Sequence, residues 1–245
     1  MLKKISIVLF GTGWLLFLAL AWFSRVQILN KLGIHRNSTD NARTVDERVQ
    51  QTTQELAKNP WLDQRLPVIF LGDSHMEMGN WYVTYRGRFA VRNLGISMSR
   101  ISDSGYIAKS IKADHASAVV LMCGINDLAA GRTREECLED YQSLFETLKK
   151  NVPTTPVVIL SLMPVSRGLG DSSKAEINRT VSRLNSDLKT ESLKYGFTFI
   201  DLNPQVQIGI ELNPALTFDG LHLNSRGYAA IATPIFQALV TTKKQ

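Results

Sequence analysis

The chain has 245 residues, of which 44% are hydrophobic, so it is long and apolar enough to bury one full core. Its net charge of +6 comes from lysines and arginines that are scattered in runs of two at most, which argues against nucleic-acid binding. Two cysteines are too few for a disulfide scaffold, and with the four histidines they form no metal-binding spacing, so we expect no metal and no cofactor. Two buried thiols are expected, with a Cys123–Cys137 bridge as the alternative.

The first feature along the chain is an apolar stretch without charged residues, residues 5–23, which follows two lysines. It is about as long as a helix that crosses a bilayer. The Ala-Leu-Ala at 19–21 also fits the cleavage site of a signal peptide, so residues 1–25 are predicted to be a membrane anchor or a signal segment. In either case we expect the domain that follows to lie outside the cytoplasm, as a membrane-anchored, periplasmic or secreted protein.

The rest of the chain divides into a polar segment and one folded domain. Residues 26–64 indicate a linker or stalk, with a helix predicted over 46–58 that either packs on the domain or acts as a stalk. From residue 65 to 245, apolar strand patterns alternate with helical patterns, which is typical of a parallel sheet covered by helices. Strands are predicted at 67–71, 89–93, 118–123, 156–162 and 198–201, and helices at 102–113, 133–150, 175–195 and 225–240. The expected fold is α/β, a flavodoxin-like three-layer α/β/α sandwich with a five-stranded parallel sheet, behind an N-terminal hydrophobic helix.

The residues that follow the predicted strands are suited to chemistry. Right-handed crossovers bring the carboxyl ends of parallel strands to one edge of a sheet, where such folds bind ligands. Residues 72–74 (Gly-Asp-Ser) follow the first strand, and Gly95 follows the second. Residues 124–127 (Gly-Ile-Asn-Asp) follow the third, and residues 219–222 (Asp-Gly-Leu-His) precede the last helix. This edge is therefore predicted to gather the groups that acyl transfer needs.

Each of these residues has a candidate role. Ser74 is the candidate nucleophile, His222 the general base, and Asp219 the carboxylate that orients the imidazole. The N–H groups of Ser74 and Gly95 and the side-chain amide of Asn126 are candidate donors to the oxyanion. Taken singly, each residue has a plainer interpretation as a packed histidine, a turn or a helix cap, so the prediction depends on their occurring together.

These motifs resemble those of the SGNH (GDSL-type) hydrolase family. Residues 72–74 resemble its first block, Gly95 its second, residues 124–127 its third and residues 219–222 its fifth, over about residues 66–240. The resemblance implies the same sandwich fold, the same three catalytic residues and the same oxyanion donors. One position departs from the family, because His75 follows the serine where an aliphatic residue is usual. A capping or solvent-facing role is expected for it, with a place in the pocket wall as the alternative.

The substrate is less well defined by the sequence. We expect a serine esterase that acts on small acyl esters of glycans or lipids through an acyl-enzyme. The alternatives are an O-acyltransferase that modifies a cell-surface glycan and a binding module without activity. Residues 76–82 and 165–173 are the expected pocket walls. Trp81 and Tyr82 can stack on a sugar or pack in the core, and Arg167 can meet an anionic group or remain solvated.

Overall fold

The computed structural model describes residues 44–58 and 66–242. All of them belong to one compact unit that begins at Thr44. The predicted anchor or signal segment, residues 1–25, lies outside the described residues. Among the helices that the structure describes, none has both the length and the apolar character needed to span a bilayer.

The centre of the domain is a parallel sheet. Its strands are β1 (Val68–Gly72), β2 (Val91–Gly95), β3 (Ala118–Met122), β4 (Val157–Leu160) and β5 (Thr198–Ile200). They pair in the order β2-β1-β3-β4-β5, and every pair is parallel. All residues of β1, β3 and β4 are buried, as expected for strands that are covered on both faces. The prediction of a five-stranded parallel sheet in an α/β fold is confirmed.

Helices flank the sheet. They are α1 (Val45–Lys58), α2 (Ser74–Glu77), α3 (Trp81–Thr84), α4 (Ile101–Ala108), α5 (Ile125–Ala129), α6 (Arg134–Asn151), α7 (Lys174–Tyr195), α8 (Asn203–Val206) and α9 (Ser225–Thr242). A small hairpin, β6 (Gln207–Ile208) and β7 (Glu211–Leu212), follows α8. The long helices α6 and α7 each begin with a capping box, which defines where they start. The short helices and the hairpin were not predicted, because segments of a few residues carry no clear periodicity.

Helix α1 belongs to the folded domain although it lies in the segment predicted as a linker or stalk. Val49 and Leu56 on one of its faces are 4% and 2% exposed. Arg48 on the same helix forms an ion pair with Glu77 at the end of α2. The helix therefore packs against the domain, close to the helix that begins with Ser74.

The packing of the core defines the role of Trp81 and the state of the two cysteines. Trp81 is 1% exposed and stacks on Phe70, with a distance of 4.6 Å between the ring centroids, whereas its neighbour Tyr82 is 66% exposed. Trp81 is therefore a core residue and not a pocket wall. Cys123 and Cys137 are both buried and free, which confirms the expectation of two buried thiols.

The strand order places the residues that follow β1 and β3 side by side, near the middle of the carboxyl edge of the sheet. Strands β1 and β3 are neighbours, and the chain leaves them towards helices on opposite sides, which is the position where doubly wound sheets bind ligands. Gly72 ends β1 with a φ of +147°, and a Cβ on it would lie 1.8 Å from the Met122 carbonyl oxygen. Only glycine therefore lets the end of β1 approach β3 closely enough for the residues after it to share one site.

Candidate active site

Ser74 is the first residue of α2 and lies directly beyond the carboxyl end of β1. The residue before it, Asp73, caps the helix by accepting the N–H of His75 at 2.9 Å. The N–H of Asp73 donates to the Met122 carbonyl at 3.3 Å, which ties this turn to β3. Because Ser74 is the first helical residue, its N–H has no intrahelical acceptor and points out of the helix end.

The structure brings Asp219 and His222 to Ser74 in one chain of hydrogen bonds. The Nε2 atom of His222 lies 3.0 Å from Ser74 Oγ. Its Nδ1 atom lies 2.7 Å from Asp219 Oδ2. The other carboxylate oxygen, Oδ1, accepts the N–H groups of Leu221 at 2.9 Å and His222 at 2.7 Å. The turn therefore holds the carboxylate and the imidazole in a fixed orientation towards the serine.

The charge of Asp219 defines which ring nitrogen carries the hydrogen. Burial alone would raise the pKa of this carboxyl, but the hydrogen bonds from the His222 side chain and from two backbone N–H groups outweigh burial and lower the pKa to about 2. An ionised carboxylate can only accept, so Nδ1 of His222 must donate to it. The Nε2 atom is then an acceptor, and the Ser74 hydroxyl donates to it.

The structure places the other two predicted oxyanion donors, Asn126 and Gly95, in different surroundings. Asn126, near the start of α5, lies beside the loop after β2, where its Nδ2 donates to the Ser99 carbonyl at 2.9 Å. The N–H of Gly95 donates to Asn93 Oδ1 at 2.9 Å, so it is engaged within the protein. A Cβ on Gly95 would lie 2.2 Å from the Glu77 nitrogen. Glycine is needed here because the end of β2 packs closely on α2.

The loop after β2 instead leaves the N–H of Met98 open. The N–H of Ile96 donates to the Gly72 carbonyl at 2.9 Å, and that of Ser99 donates to the Ile96 carbonyl at 3.1 Å. The N–H of Met98 has no acceptor among the residues that the structure describes. Met98 has a φ of +68°, and within the described ranges it is the one non-glycine residue in the left-handed region. This conformation costs on the order of 1 kcal/mol and is frequent at functional sites.

His75 is buried, contrary to the expected capping or solvent-facing role, and it joins the two turns of the site. Its Nδ1 lies 3.2 Å from Asp73 Oδ1, and its Nε2 lies 3.1 Å from the Leu221 carbonyl oxygen. Burial alone would lower the pKa of His75, but the hydrogen bond and charge of Asp73, together with the Leu221 carbonyl, raise it. The reason the sequence did not reveal this role is that Leu221 lies 146 positions further along the chain.

Asp127 has a structural role. Its Oδ2 accepts the N–H of Ile101 at 3.1 Å and so holds the first turn of α4. Burial raises the pKa of the Asp127 carboxyl to about 6, although that hydrogen bond and the charge of Arg132 act in the opposite direction. No group of three or more His, Cys, Asp and Glu side chains in the described part of the chain could hold a metal ion.

Two exposed side chains stand beside the hydrogen-bonded chain. The ring of Phe218 lies nearly parallel to that of His222, with centroids 5.7 Å apart, and Phe218 is 60% exposed. Arg167 Nη2 lies 3.8 Å from Asp219 Oδ2. The sequence singled out Arg167 but missed Phe218, although its position next to Asp219 was a signal that could have been used.

The fold resembles that of several solved proteins. A Streptococcus pneumoniae protein named for platelet activating factor is 17% identical, with a TM-score of 0.69 over 88% of this chain and 98% of its own. A GDSL-like lipase from Bacteroides thetaiotaomicron is 20% identical, with a TM-score of 0.63 over 81% of this chain and 99% of its own. An acetyl-xylooligosaccharide esterase from Geobacillus is 16% identical, with a TM-score of 0.55 over 72% of this chain and 96% of its own.

The chain also has relatives at the level of sequence. An Escherichia coli N-acylneuraminate cytidylyltransferase is 25% identical over 207 residues, which are 82% of this chain and 45% of that protein. The chain thus spans about half the length of this curated relative. Residues 70–230 match the sequence profile of the GDSL-like Lipase/Acylhydrolase family, and this range includes the whole hydrogen-bonded chain from Ser74 to His222. The protein belongs to the GDSL-like lipase/acylhydrolase family.

Proposed function

We propose that the protein is a serine esterase that cleaves small acyl esters through an acyl-enzyme on Ser74. The observation that supports this most directly is the continuous chain of hydrogen bonds from Asp219 through His222 to the Ser74 hydroxyl. A serine hydroxyl is a weak nucleophile unless a base accepts its proton, and here an oriented imidazole is within reach. Membership in an acylhydrolase family agrees with this chemistry.

The proposed reaction has two halves. His222 Nε2 takes the proton of Ser74 while Oγ attacks the ester carbonyl carbon, and the carbonyl oxygen becomes an oxyanion. The imidazolium then gives that proton to the departing alcohol, which leaves the acyl group on Oγ. In the second half, His222 takes a proton from water, the hydroxide attacks the acyl carbon, and the proton returns to Ser74. Asp219 stays ionised throughout and stabilises the imidazolium.

The oxyanion needs donors that are free to meet it. We propose the N–H of Ser74, the N–H of Met98 and the second hydrogen of Asn126 Nδ2, whose first hydrogen is donated to the Ser99 carbonyl. The Met98 N–H takes the place that the sequence assigned to Gly95, because the N–H of Gly95 already has an acceptor. The left-handed backbone at Met98 supports this assignment, since strain of that kind persists where the surrounding structure imposes it.

Substitutions at two of these positions test the oxyanion assignment. Asn126→Ala should lower kcat on the order of 10²–10³-fold, as the loss of one donor does elsewhere. Met98→Gly keeps the N–H and accepts a positive φ, so activity should persist; relief of strain and the greater freedom of glycine in the unfolded chain oppose each other, so the free energy of unfolding should stay within about 1 kcal/mol of the wild type. Gly95→Ala is no control, because its Cβ would collide with α2. An Asn126→Ala variant with unchanged kcat would exclude the amide from the site.

The proposed substrate is a small acyl ester of a glycan, with a lipid ester as the second choice. One fold relative is an esterase of acetylated xylooligosaccharides, and the E. coli relative is named for N-acylneuraminate, a sugar. The exposed aromatic ring of Phe218 beside His222 suits a sugar face. We further propose that residues 1–25 anchor the enzyme to a membrane or export it, with the domain on the outside, where acylated glycans occur.

The function is tested by ester turnover and covalent labelling. The full chain should hydrolyse p-nitrophenyl acetate and react with a fluorophosphonate probe, and Ser74→Ala should abolish both. Turnover that survives Ser74→Ala would overturn the proposal, and a chain that neither turns over esters nor takes the label would be a binding module. Addition of a sugar acceptor separates transfer from hydrolysis, because transfer yields an acylated sugar in place of free acid.

A further inference from the structure

Arg167 is held beside the proposed catalytic turn by the backbone and by its own stem. The N–H of Ser166 donates to the Gly220 carbonyl at 2.9 Å, which joins the loop after β4 to the turn that carries Asp219. A Cβ on Gly220 would lie 3.1 Å from Arg167 Cγ, so the arginine stem rests on this turn. The loop and the turn therefore fix where the arginine side chain begins, next to the proposed catalytic residues.

The N–H groups of the Arg167 guanidinium are available to a ligand. Its closest anionic atom, Asp219 Oδ2, is 3.8 Å away, which is too long for a hydrogen bond. Its side chain makes no hydrogen bond to any residue in the described ranges and is 48% exposed. The orientation of Asp219 does not depend on Arg167, because the two carboxylate oxygens already accept three N–H groups of their own turn. In contrast, Arg48 forms a close ion pair with Glu77, and Arg134 forms one with Asp187. Each of these pairs joins two helices.

Phe218 supplies an apolar surface on the same turn. Its ring lies nearly parallel to that of His222, and 60% of its surface is exposed, so most of the aromatic ring is open to a ligand. An aromatic face beside a guanidinium suits a sugar ring that carries a negative charge, because the ring can stack while the charge is bound.

We propose that Arg167 and Phe218 bind the alcohol portion of the ester, and that the preferred substrates are acylated sugars with an anionic group, a carboxylate or a phosphate. This inference rests on the proposed esterase function, since the acyl group must reach Ser74 while the sugar lies over Phe218. Arg167 adjoins Asp219, the far end of the chain of contacts that leads through His222 to Ser74, so its guanidinium lies on the same side of the site as the proposed catalytic turn. The planar donors of arginine fit either anion in a bidentate manner.

The experiment compares matched esters on the full chain. An O-acetylated uronic acid and its carboxyl methyl ester differ in one charge, and kcat/KM is measured for both. The wild type should prefer the charged ester roughly tenfold to a hundredfold, which is the effect of one charge-assisted hydrogen-bonded contact. In Arg167→Met the ratio of the two values should fall to about one, and Arg167→Lys should give an intermediate ratio. An O-acetylated sugar phosphate, tested beside them, shows which anion fits better.

Arg183→Met is the matched control. It removes the same charge from an exposed position on α7 and should leave the preference intact. Equal wild-type rates on the charged and neutral esters would overturn the inference. An equal loss on both esters in Arg167→Met would also overturn it, because Arg167 would then act through Asp219. Absent turnover of p-nitrophenyl acetate would instead refute the esterase function, so the two failures are distinguishable.

Discussion

Two aspartate–histidine pairs lie next to each other in this domain, with 5.6 Å between the centroids of the two imidazoles. In both pairs a carboxylate accepts from Nδ1, at 3.2 Å for Asp73 and His75 and at 2.7 Å for Asp219 and His222. They differ in what the Nε2 atom meets. His222 meets the Ser74 hydroxyl, whereas His75 meets the Leu221 carbonyl oxygen.

This difference suits His222 to act as a base and His75 to hold the site in place. A hydroxyl can give its proton to Nε2, so His222 can act as a general base. A carbonyl oxygen only accepts, so the Nε2 of His75 must donate, and with Asp73 opposite Nδ1 both ring nitrogens carry hydrogen. Solvent access follows the same division, since the side chain of His75 is 4% exposed and that of His222 is 20% exposed. Similar residue pairs thus acquire different roles from the atom that faces Nε2.

The largest expected effect is at His222. His222→Gln should lower kcat/KM for p-nitrophenyl acetate on the order of 10⁶-fold, because without a base the Ser74 hydroxyl stays protonated. His75→Gln serves as the comparison and should lose far less, roughly 10²-fold at most. A His222→Gln variant with near-normal turnover, or equal losses in the two variants, would contradict the division of roles between the pairs.

The next largest difference in activity is expected between variants of the two carboxylates, Asp219 and Asp73. Asp219→Asn should lower kcat on the order of 10⁴-fold, because an amide can donate to Nδ1 and so favour the wrong tautomer of His222. Asp73→Asn should act mainly on folding, since Asp73 is fully buried and caps α2. The measurement is kcat together with the free energy of unfolding for each variant. If Asp73→Asn lowered kcat as much as Asp219→Asn, the pairs would not be functionally distinct.

Much of the site could be predicted because it depends on strand ends. The positions of Ser74 and Asn126 follow from the rule that parallel strands deliver their carboxyl ends to one edge, and the spacing of Asp219 and His222 lets both share a turn. The strands themselves were predicted to within a few residues, and for β1, β3 and β4 the reason is that fully buried parallel strands are continuous apolar runs.

The remaining features depend on contacts that sequence spacing does not define. Gly95 is less suited to its predicted role because Asn93, two residues earlier, already accepts its N–H. His75 was expected to have a capping or solvent-facing role, and it is buried because the Leu221 carbonyl and Asp73 together satisfy its ring. A local pattern predicts where an element ends, but it does not predict which of several N–H groups in a loop remains open.

His75→Gln should mainly lower stability. It leaves Asp73 buried without its cation, which costs about 3–5 kcal/mol, and a small shift of Ser74 should lower kcat by up to roughly 10²-fold. The pKa of His75 is raised in the folded state, so its contribution is complete below the unfolded value of about 6.5 and is lost as pH rises through the folded value.

The charged and titratable groups that face His75 are Asp73, Asp219, His222 and, through its hydroxyl, Tyr228. Denaturant unfolding across pH therefore tests the role of His75 directly. The difference in unfolding free energy between the wild type and His75→Gln should be largest at mildly acidic pH and should shrink in alkali. A difference that stays constant with pH would mean that the buried pair is not ionic.

The smallest expected effect is at Tyr228, which holds the backbone of His75 from α9. Its hydroxyl donates to the His75 carbonyl at 2.9 Å, while its ring packs edge-on against Trp81. Tyr228→Phe keeps the ring and leaves that carbonyl unpaired, so the free energy of unfolding should fall by about 1–2 kcal/mol. Tyr85→Phe is the matched control, since its hydroxyl donates to the Ala232 carbonyl at 3.0 Å. Both variants should lose similar stability, and neither should change kcat more than about threefold, because the two ring contacts of His75 remain. A kcat loss in Tyr228→Phe that Tyr85→Phe does not share would show that the support of Ser74 extends through the His75 backbone to α9.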